Sequence, residues 1–273
     1  MDYDLAVRSV LTWAKHNENV RAVVLTGSAA THVAHPLSDR DIELYVRNTE
    51  LLENDDSWWL DLGDVLAVER LENGEDQPTR LVYYVGGKLD FTLVDVADAA
   101  GEYDRPFQVL LDKDGLTASF SLRAHEPERP DQEQFDECCN WASAAALMAA
   151  KAIVRDEPWS AITRDADLKA ELLRMIEWDH KIRYGTTRDV RYLGTRMRQW
   201  MDEDIQARLD RCWAPFGDVD GGGQALIATL ALFQELANRI ATATNLAPFH
   251  HTAVGEEVDR ILTAIRASGA NWW

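Results

Sequence analysis

The sequence predicts an α/β unit with a mixed β-sheet followed by an all-helical unit, and three observations carry that prediction. Short β-rich runs separated by polar turns fill the first half and vanish beyond about residue 130. From there on, apolar residues recur at the three-to-four spacing of amphipathic helices. Between the two textures stand Pro127 and Pro130, and proline favours extended chain and interrupts helices. The expected domains are residues 1–128 and 129–273. With 273 residues and 46% hydrophobic content, each has enough apolar side chains for its own core.

The elements follow in order. Leu5, Val7, Val10, Leu11 and Trp13 put an amphipathic helix over residues 4–15. Val20 to Thr26 is rich in β-branched residues and reads as a strand ending at Gly27-Ser28. Residues 41–46 alternate polar and apolar as a strand does, and 65–70 and 80–85 read as further strands. Gly86-Gly87 then turns the chain into a strand over 88–94, because two glycines between β-rich runs signal a hairpin. Helices are expected over 132–154, 168–183, 223–242 and 254–267. The glycine-rich run from Gly217 to Gly223 reads as an interhelical break.

Charge narrows the function. Lys and Arg number 28 against 47 Asp and Glu, a formal net charge of −19. So acidic a chain is not expected to bind nucleic acid through its phosphates or to seek an anionic membrane, whereas cations are drawn to it. No apolar run has the length of a membrane span, and Met1-Asp2-Tyr3-Asp4 is the reverse of a signal peptide's start. The three cysteines, Cys138, Cys139 and Cys212, include an adjacent pair, which points to a reduced, cytoplasmic compartment.

The chemistry is concentrated in Gly27-Ser28 and the run from Ser38 to Val46. Glycine lets the backbone turn out of the first strand and approach a ligand closely. A helix opening there would present N–H groups to a phosphate, with the Ser28 hydroxyl as a further donor. Asp39 and Asp41 stand two positions apart on a strand, so they leave the same face, and paired carboxylates suit Mg²⁺. Asp90 interrupts the apolar run Leu89-Asp90-Phe91-Thr92-Leu93, where a carboxylate is costly unless compensated. Alone, Asp-x-Asp at a strand start is more often a solvated turn. The ordered combination is more specific, and it fits a two-metal nucleotidyl-transfer site.

That combination resembles the nucleotidyltransferase superfamily, whose signature is Gly-Ser, then Asp-x-Asp/Glu, then a third acidic strand residue. More narrowly, the chain is similar to the aminoglycoside 6-adenylyltransferases, the streptomycin-modifying enzymes. The likeness runs through Arg21-Ala22-Val23, Gly27-Ser28, Asp39-Arg40-Asp41-Ile42 and Leu89 to Leu93. It continues in Leu110 to Asp114, Cys138-Cys139-Asn140, Ala150-Lys151, Arg155 to Glu157 and Leu173 to Trp178. The resemblance implies a nucleotidyltransferase-fold domain, a helical-bundle substrate-binding domain and an active site in the cleft between them. It implies ATP as donor, Mg²⁺ as cofactor and transfer of AMP to an aminoglycoside hydroxyl with release of pyrophosphate. The 6-hydroxyl of streptomycin is the acceptor implied, and antibiotic resistance the outcome.

By that resemblance Asp39 and Asp41 are metal ligands, and Asp90 completes the metal site or takes the proton of the attacking hydroxyl. Gly27, Ser28 and Lys151 are candidate nucleotide contacts; Glu177 and Trp178 are candidate acceptor contacts. The chain departs from the family pattern in two places. Ala29 stands where an arginine usually follows Gly-Ser, which removes a phosphate contact. Trp141-Ala142-Ser143-Ala144 replaces a bulkier aromatic cluster, which would reshape an acceptor pocket. These departures leave open another acceptor, whether a small molecule or a protein, or a relative that only binds the antibiotic.

Other residues carry less. Trp58-Trp59 and Trp272-Trp273 read as packing anchors, and Cys138-Cys139 as small buried side chains of a helix. His32 and His35 lack a third nitrogen or sulfur ligand and read as loop residues, and His250-His251 is assigned nothing.

Overall fold

A computed structural model describes residues 1–31, 35–73, 76–99, 101–123, 127–190, 192–215 and 218–264. His32 and the Trp272-Trp273 pair lie outside the described residues. The chain divides into two units, Met1–His125 and Glu126–Trp273, a boundary three residues before the expected one.

The first unit opens with α1, Tyr3–His16, which starts where the Asp2 carboxylate accepts the Leu5 N–H at 3.0 Å. Then follow β1 (Val20–Thr26), a five-residue 3₁₀ turn at Gly27–Thr31, and β2 (Arg40–Val46). Two one-turn helices, α2 (Glu50–Glu53) and α3 (Ser57–Leu60), lead to β3 (Val65–Glu72), β4 (Pro78–Tyr84) and β5 (Gly87–Asp95). The unit closes with β6 (Glu102–Tyr103), β7 (Phe107–Asp112) and β8 (Ser121–Leu122).

Six of these strands form one mixed sheet in the order β3-β4-β5-β2-β1-β7, with β2 and β5 parallel and the other neighbours antiparallel. The hairpin joining β4 to β5 turns at Gly86, whose φ of +82° favours glycine. Sequence periodicity did not single out β7. It is an edge strand with most side chains partly or fully exposed, so no clean alternation marks it.

One face of the sheet buries Ile42, Leu44, Leu89, Phe91 and Leu93 against Ala6, Val10 and Ala14 of α1. Trp58 belongs to this core: it stacks on Trp13 at 5.3 Å, meets Phe91 edge-on at 4.9 Å, and donates its indole N–H to the Leu52 carbonyl at 3.1 Å. The other face carries a smaller cluster of Ala22, Val24, Tyr45, Val94 and Tyr103. The alternation that buries Ile42 and Phe91 therefore turns Asp41 and Asp90 onto that second face.

The second unit contains α4 (Gln132–Val154), α5 (Pro158–Tyr184), α6 (Met197–Trp200), α7 (Glu203–Leu209), α8 (Val219–Thr244) and α9 (His251–Ala264). A capping box of Asp131 and Gln134 starts α4. Two helices begin earlier than expected. Pro158 opens α5 in the first turn, and exposed Trp159 and Ile162 hide the amphipathic pattern of its start. Gly221, Gly222 and Gly223 are not a break: Asp218 accepts the Gly221 N–H at 2.8 Å and caps α8 ahead of them.

Asp179, 1% exposed, joins α5 to α8 by accepting from Arg239 at 2.6 Å and from Arg183 at 2.9 Å. The neighbouring His180 ring donates from Nδ1 to the Ile176 carbonyl at 2.8 Å and accepts the Asp202 N–H at Nε2 at 3.0 Å. Burial holds this imidazole below its ordinary pKa, consistent with a neutral ring. Among the described residues, no helix is long and apolar enough to cross a membrane.

Candidate active site

β1 ends at Thr26, which pairs with Asp41 of β2, and the chain leaves the sheet at Gly27. Gly27 has φ +71°, and its N–H donates to the Pro106 carbonyl at 2.8 Å. A Cβ built on Gly27 would stand 2.9 Å from Asp41 Oδ2, so glycine gives this carboxylate its room. The expected phosphate-facing helix is only a short 3₁₀ turn, in which the Ser28 carbonyl accepts the Thr31 hydroxyl at 2.9 Å.

Asp41 lies directly opposite Asp90 in the parallel register of β2 with β5. Asp39 stands just before β2 and is brought to the same place by Lys88. The Lys88 ammonium donates to Asp39 Oδ2 at 3.1 Å and to Asp90 Oδ2 at 2.8 Å. The second Asp90 oxygen, Oδ1, is buried without a hydrogen-bond partner. Arg40, between the two aspartates in sequence, turns away. It donates to the Ser38 carbonyl at 2.7 Å and lies 4.1 Å over the Tyr3 ring.

These surroundings bias the charges. Burial pushes the Asp90 carboxyl up to about 6 although Lys88 opposes it, and the charges of Asp41 and Asp39 add to the rise. Burial likewise raises Asp41, opposed by the charge of Arg105 and helped by Asp39. Burial alone would lower Lys88, but its bonds and charge pairing with Asp90 and Asp39 outweigh that and leave it raised. A carboxylate poised near neutrality beside two others can accept a proton from a hydroxyl.

The donor set suits a hard divalent cation: two facing carboxylates on the sheet, one of them with a buried, unpartnered oxygen, and a third tied to the same ammonium. As the side chains stand, however, no three candidate ligands among the described residues close on a single point. Two of the three, Asp39 and Asp90, pair with the Lys88 ammonium instead.

The candidate residues of the helical unit stand in different surroundings. Lys151 is exposed near the end of α4. Glu177 is half-buried on α5; burial raises its carboxyl, opposed by the Lys181 charge and by the Gly194 N–H, and its Oε1 has no partner. Trp178 is 7% exposed, packs in the helical core, and has the Arg174 guanidinium 5.0 Å from its ring.

Comparison with known families covers nearly the whole chain. The family model described as streptomycin adenylyltransferase matches residues 3–255. The chain belongs to the streptomycin adenylyltransferase family. It is 26% identical to an aminoglycoside 6-adenylyltransferase of Campylobacter jejuni over 247 residues, covering 85% of each chain. It is 29% identical to one of Bacillus subtilis over 185 residues, covering 62% of this chain and 65% of the relative. A crystal structure of an aminoglycoside 6-adenyltransferase from Bacillus subtilis is 20% identical, with a TM-score of 0.45 over 96% of this chain and 97% of that one.

As a member of the streptomycin adenylyltransferase family, the chain is a transferase of adenylyl groups, which implies ATP as co-substrate. Two further positions singled out in the sequence have definite surroundings. Ala29 is buried in the core beneath the sheet, and Trp141 is 60% exposed on α4.

Three groups near the aspartates escaped sequence reasoning. Lys88 precedes Asp90 by two residues and Glu43 follows Asp41 by two, so strand periodicity puts both on the aspartate face. Glu43 accepts from the Tyr103 hydroxyl at 2.6 Å and the Tyr45 hydroxyl at 3.1 Å. Arg105 follows β6 in a connecting segment and has no periodic signal.

Proposed function

We propose that the chain is an aminoglycoside O-adenylyltransferase that moves AMP from ATP to the 6-hydroxyl of streptomycin and releases pyrophosphate. The observation that carries this reading is the facing pair Asp41 and Asp90, with Asp39 tied to the same ammonium, beside the bend at Gly27. Family membership supplies the donor, and the relatives' aminoglycoside acceptors supply the acceptor class.

Asp39 and Asp41 would hold Mg²⁺, with Asp90 as the third carboxylate of the set. When bound, the ion neutralises triphosphate charge and favours in-line displacement at phosphorus. Asp90 accepts the proton of the attacking hydroxyl, whose oxygen bonds to the α-phosphorus. The bond from that phosphorus to the β-bridging oxygen breaks, and pyrophosphate carries the electron pair away. Gly27 and Ser28 let the backbone come close to the phosphates, and Lys151 contacts the triphosphate. Glu177 accepts from a cationic group of the acceptor through a charge-assisted hydrogen bond, and Trp178 supports its stretch of α5.

The test is incubation with ATP, Mg²⁺ and a panel of acceptors that includes streptomycin, followed by product mass. Added AMP on streptomycin supports the reading. Pyrophosphate release with a different panel member labelled reassigns the acceptor, and antibiotic binding without pyrophosphate release overturns the enzyme assignment.

A further inference from the structure

Lys88 is the cation that this site supplies for itself. Its ammonium makes its two ion pairs to Asp39 and Asp90, through the Oδ2 atom of each. Its side chain is 17% exposed and that of Asp90 16%, so water screens the Asp90 pair little. The backbone of Lys88 is fixed independently: its N–H donates to the Tyr3 hydroxyl of α1 at 3.0 Å. The side chain therefore reaches into the site from an anchored point on the sheet.

A divalent ion and this ammonium compete for the same oxygens. Mg²⁺ binds carboxylate oxygen at about 2.1 Å and demands near-octahedral order. An ammonium beside that ion would meet a double positive charge at short range. Lys88 has another resting place, because its Nζ already lies 5.3 Å from the centre of the Tyr83 ring, whose face attracts cations.

We propose that Lys88 is a displaceable counter-cation: it pairs with Asp39 and Asp90 in the metal-free protein and withdraws toward Tyr83 when a divalent ion takes those oxygens. It is a positioning residue that sets how tightly the carboxylates bind metal. The inference rests on the metal-site reading above, and direct binding separates the two.

Mn²⁺ alone, without nucleotide, is titrated into the parent, K88M, K88R and D41N, with free Mn²⁺ read by paramagnetic resonance. The proposal expects K88M to bind about tenfold more tightly than the parent or better, since one competing charge is gone. It expects K88R to bind like the parent. Saturable parent binding that is lost in D41N, with K88M no tighter than the parent, overturns this inference and leaves the metal site standing. No saturable binding in either parent or K88M overturns both. A second measurement needs no variant: acetic anhydride should label Lys88 of the parent several-fold faster when Mn²⁺ is present. Unchanged or slower labelling at saturating Mn²⁺ overturns the displacement.

Discussion

Asp41 of β2 and Asp90 of β5 are register partners across a parallel strand pairing, with their side chains on the face opposite the Phe91 and Ile42 core. Two carboxylates thus share a place where burial raises both. Exchanging Asp39, Asp41 or Asp90 for asparagine keeps the shape and removes the charge. Each variant is expected to lose about 100-fold or more in adenylylation rate while melting within a few degrees of the parent. Steady-state kinetics and a thermal melt on each variant decide it, and full turnover in all three would refute the assigned roles.

Asp90 also makes stability depend on pH with a definite sign. Its folded carboxyl is pushed up to about 6, above the ordinary value of 3.8, so the folded state holds the proton more tightly than the unfolded chain. That contribution is fully present below about pH 4 and is lost as pH climbs through about 6. It amounts to at most about 2–3 kcal/mol. Without metal or nucleotide, D90N should therefore gain on the parent in melting temperature between pH 4 and 7. A difference that stays flat across this range would place Asp90 in a more solvated setting.

Gly27 combines a left-handed φ with a close approach to Asp41 Oδ2. Alanine there meets a backbone strain of about 1 kcal/mol and forces the carboxylate aside. G27A is expected to lose about 1–2 kcal/mol of stability and a larger share of activity than that loss explains. Denaturant melts paired with initial rates test this, and unchanged activity would remove Gly27 from the site.

The cysteines should be inert in the folded protein. Burial pushes the Cys139 thiol up to about 12, and it raises Cys138 and Cys212 as well. A thiol reagent in excess at pH 8 should modify them only at the rate of unfolding, and adding denaturant should release all three. Rapid modification of native protein would contradict that burial.

In the helical unit, Asp179 is the buried partner of both Arg183 and Arg239. Removing it takes from the partly exposed Arg239 guanidinium the carboxylate it pairs with and leaves Arg183 paired with Asp202 alone. D179A should cost about 3 kcal/mol, read as a lower denaturation midpoint, whereas a surface pair such as Arg260–Glu257 should cost less than about 1 kcal/mol.

The parts of the site that were legible are those in which local sequence is also local geometry. Period-two alternation turns Asp41 and Asp90 to one face, Asp39 precedes the strand and is tied in through Lys88, and Gly27 marks the bend beside Asp41. Lys88 follows a two-glycine turn, where a lysine ordinarily reads as solvated, and its role emerges only when β5 lies beside β2. Arg105 acts on Asp41 by proximity across the fold, which no spacing reveals. The same limit explains the helices. The capping carboxylate of Asp218 outweighs three glycines, and the exposed first turns of α5 carry no apolar stripe to announce them.

The placement of β5 between β2 and β4 has a consequence for how the enzyme is made. During synthesis Asp39 and Asp41 emerge first, then the whole of β3 and β4, and only afterwards Lys88 and Asp90, Lys88 lying 49 positions after Asp39. The acidic centre is thus the product of a long-range closure, the parallel pairing of β5 with β2, which joins the β3-β4-β5 hairpins to the strands made before them. A nascent chain halted before residue 87 would carry Asp39 and Asp41 but lack both Lys88, which ties Asp39 to Asp90, and Asp90 itself.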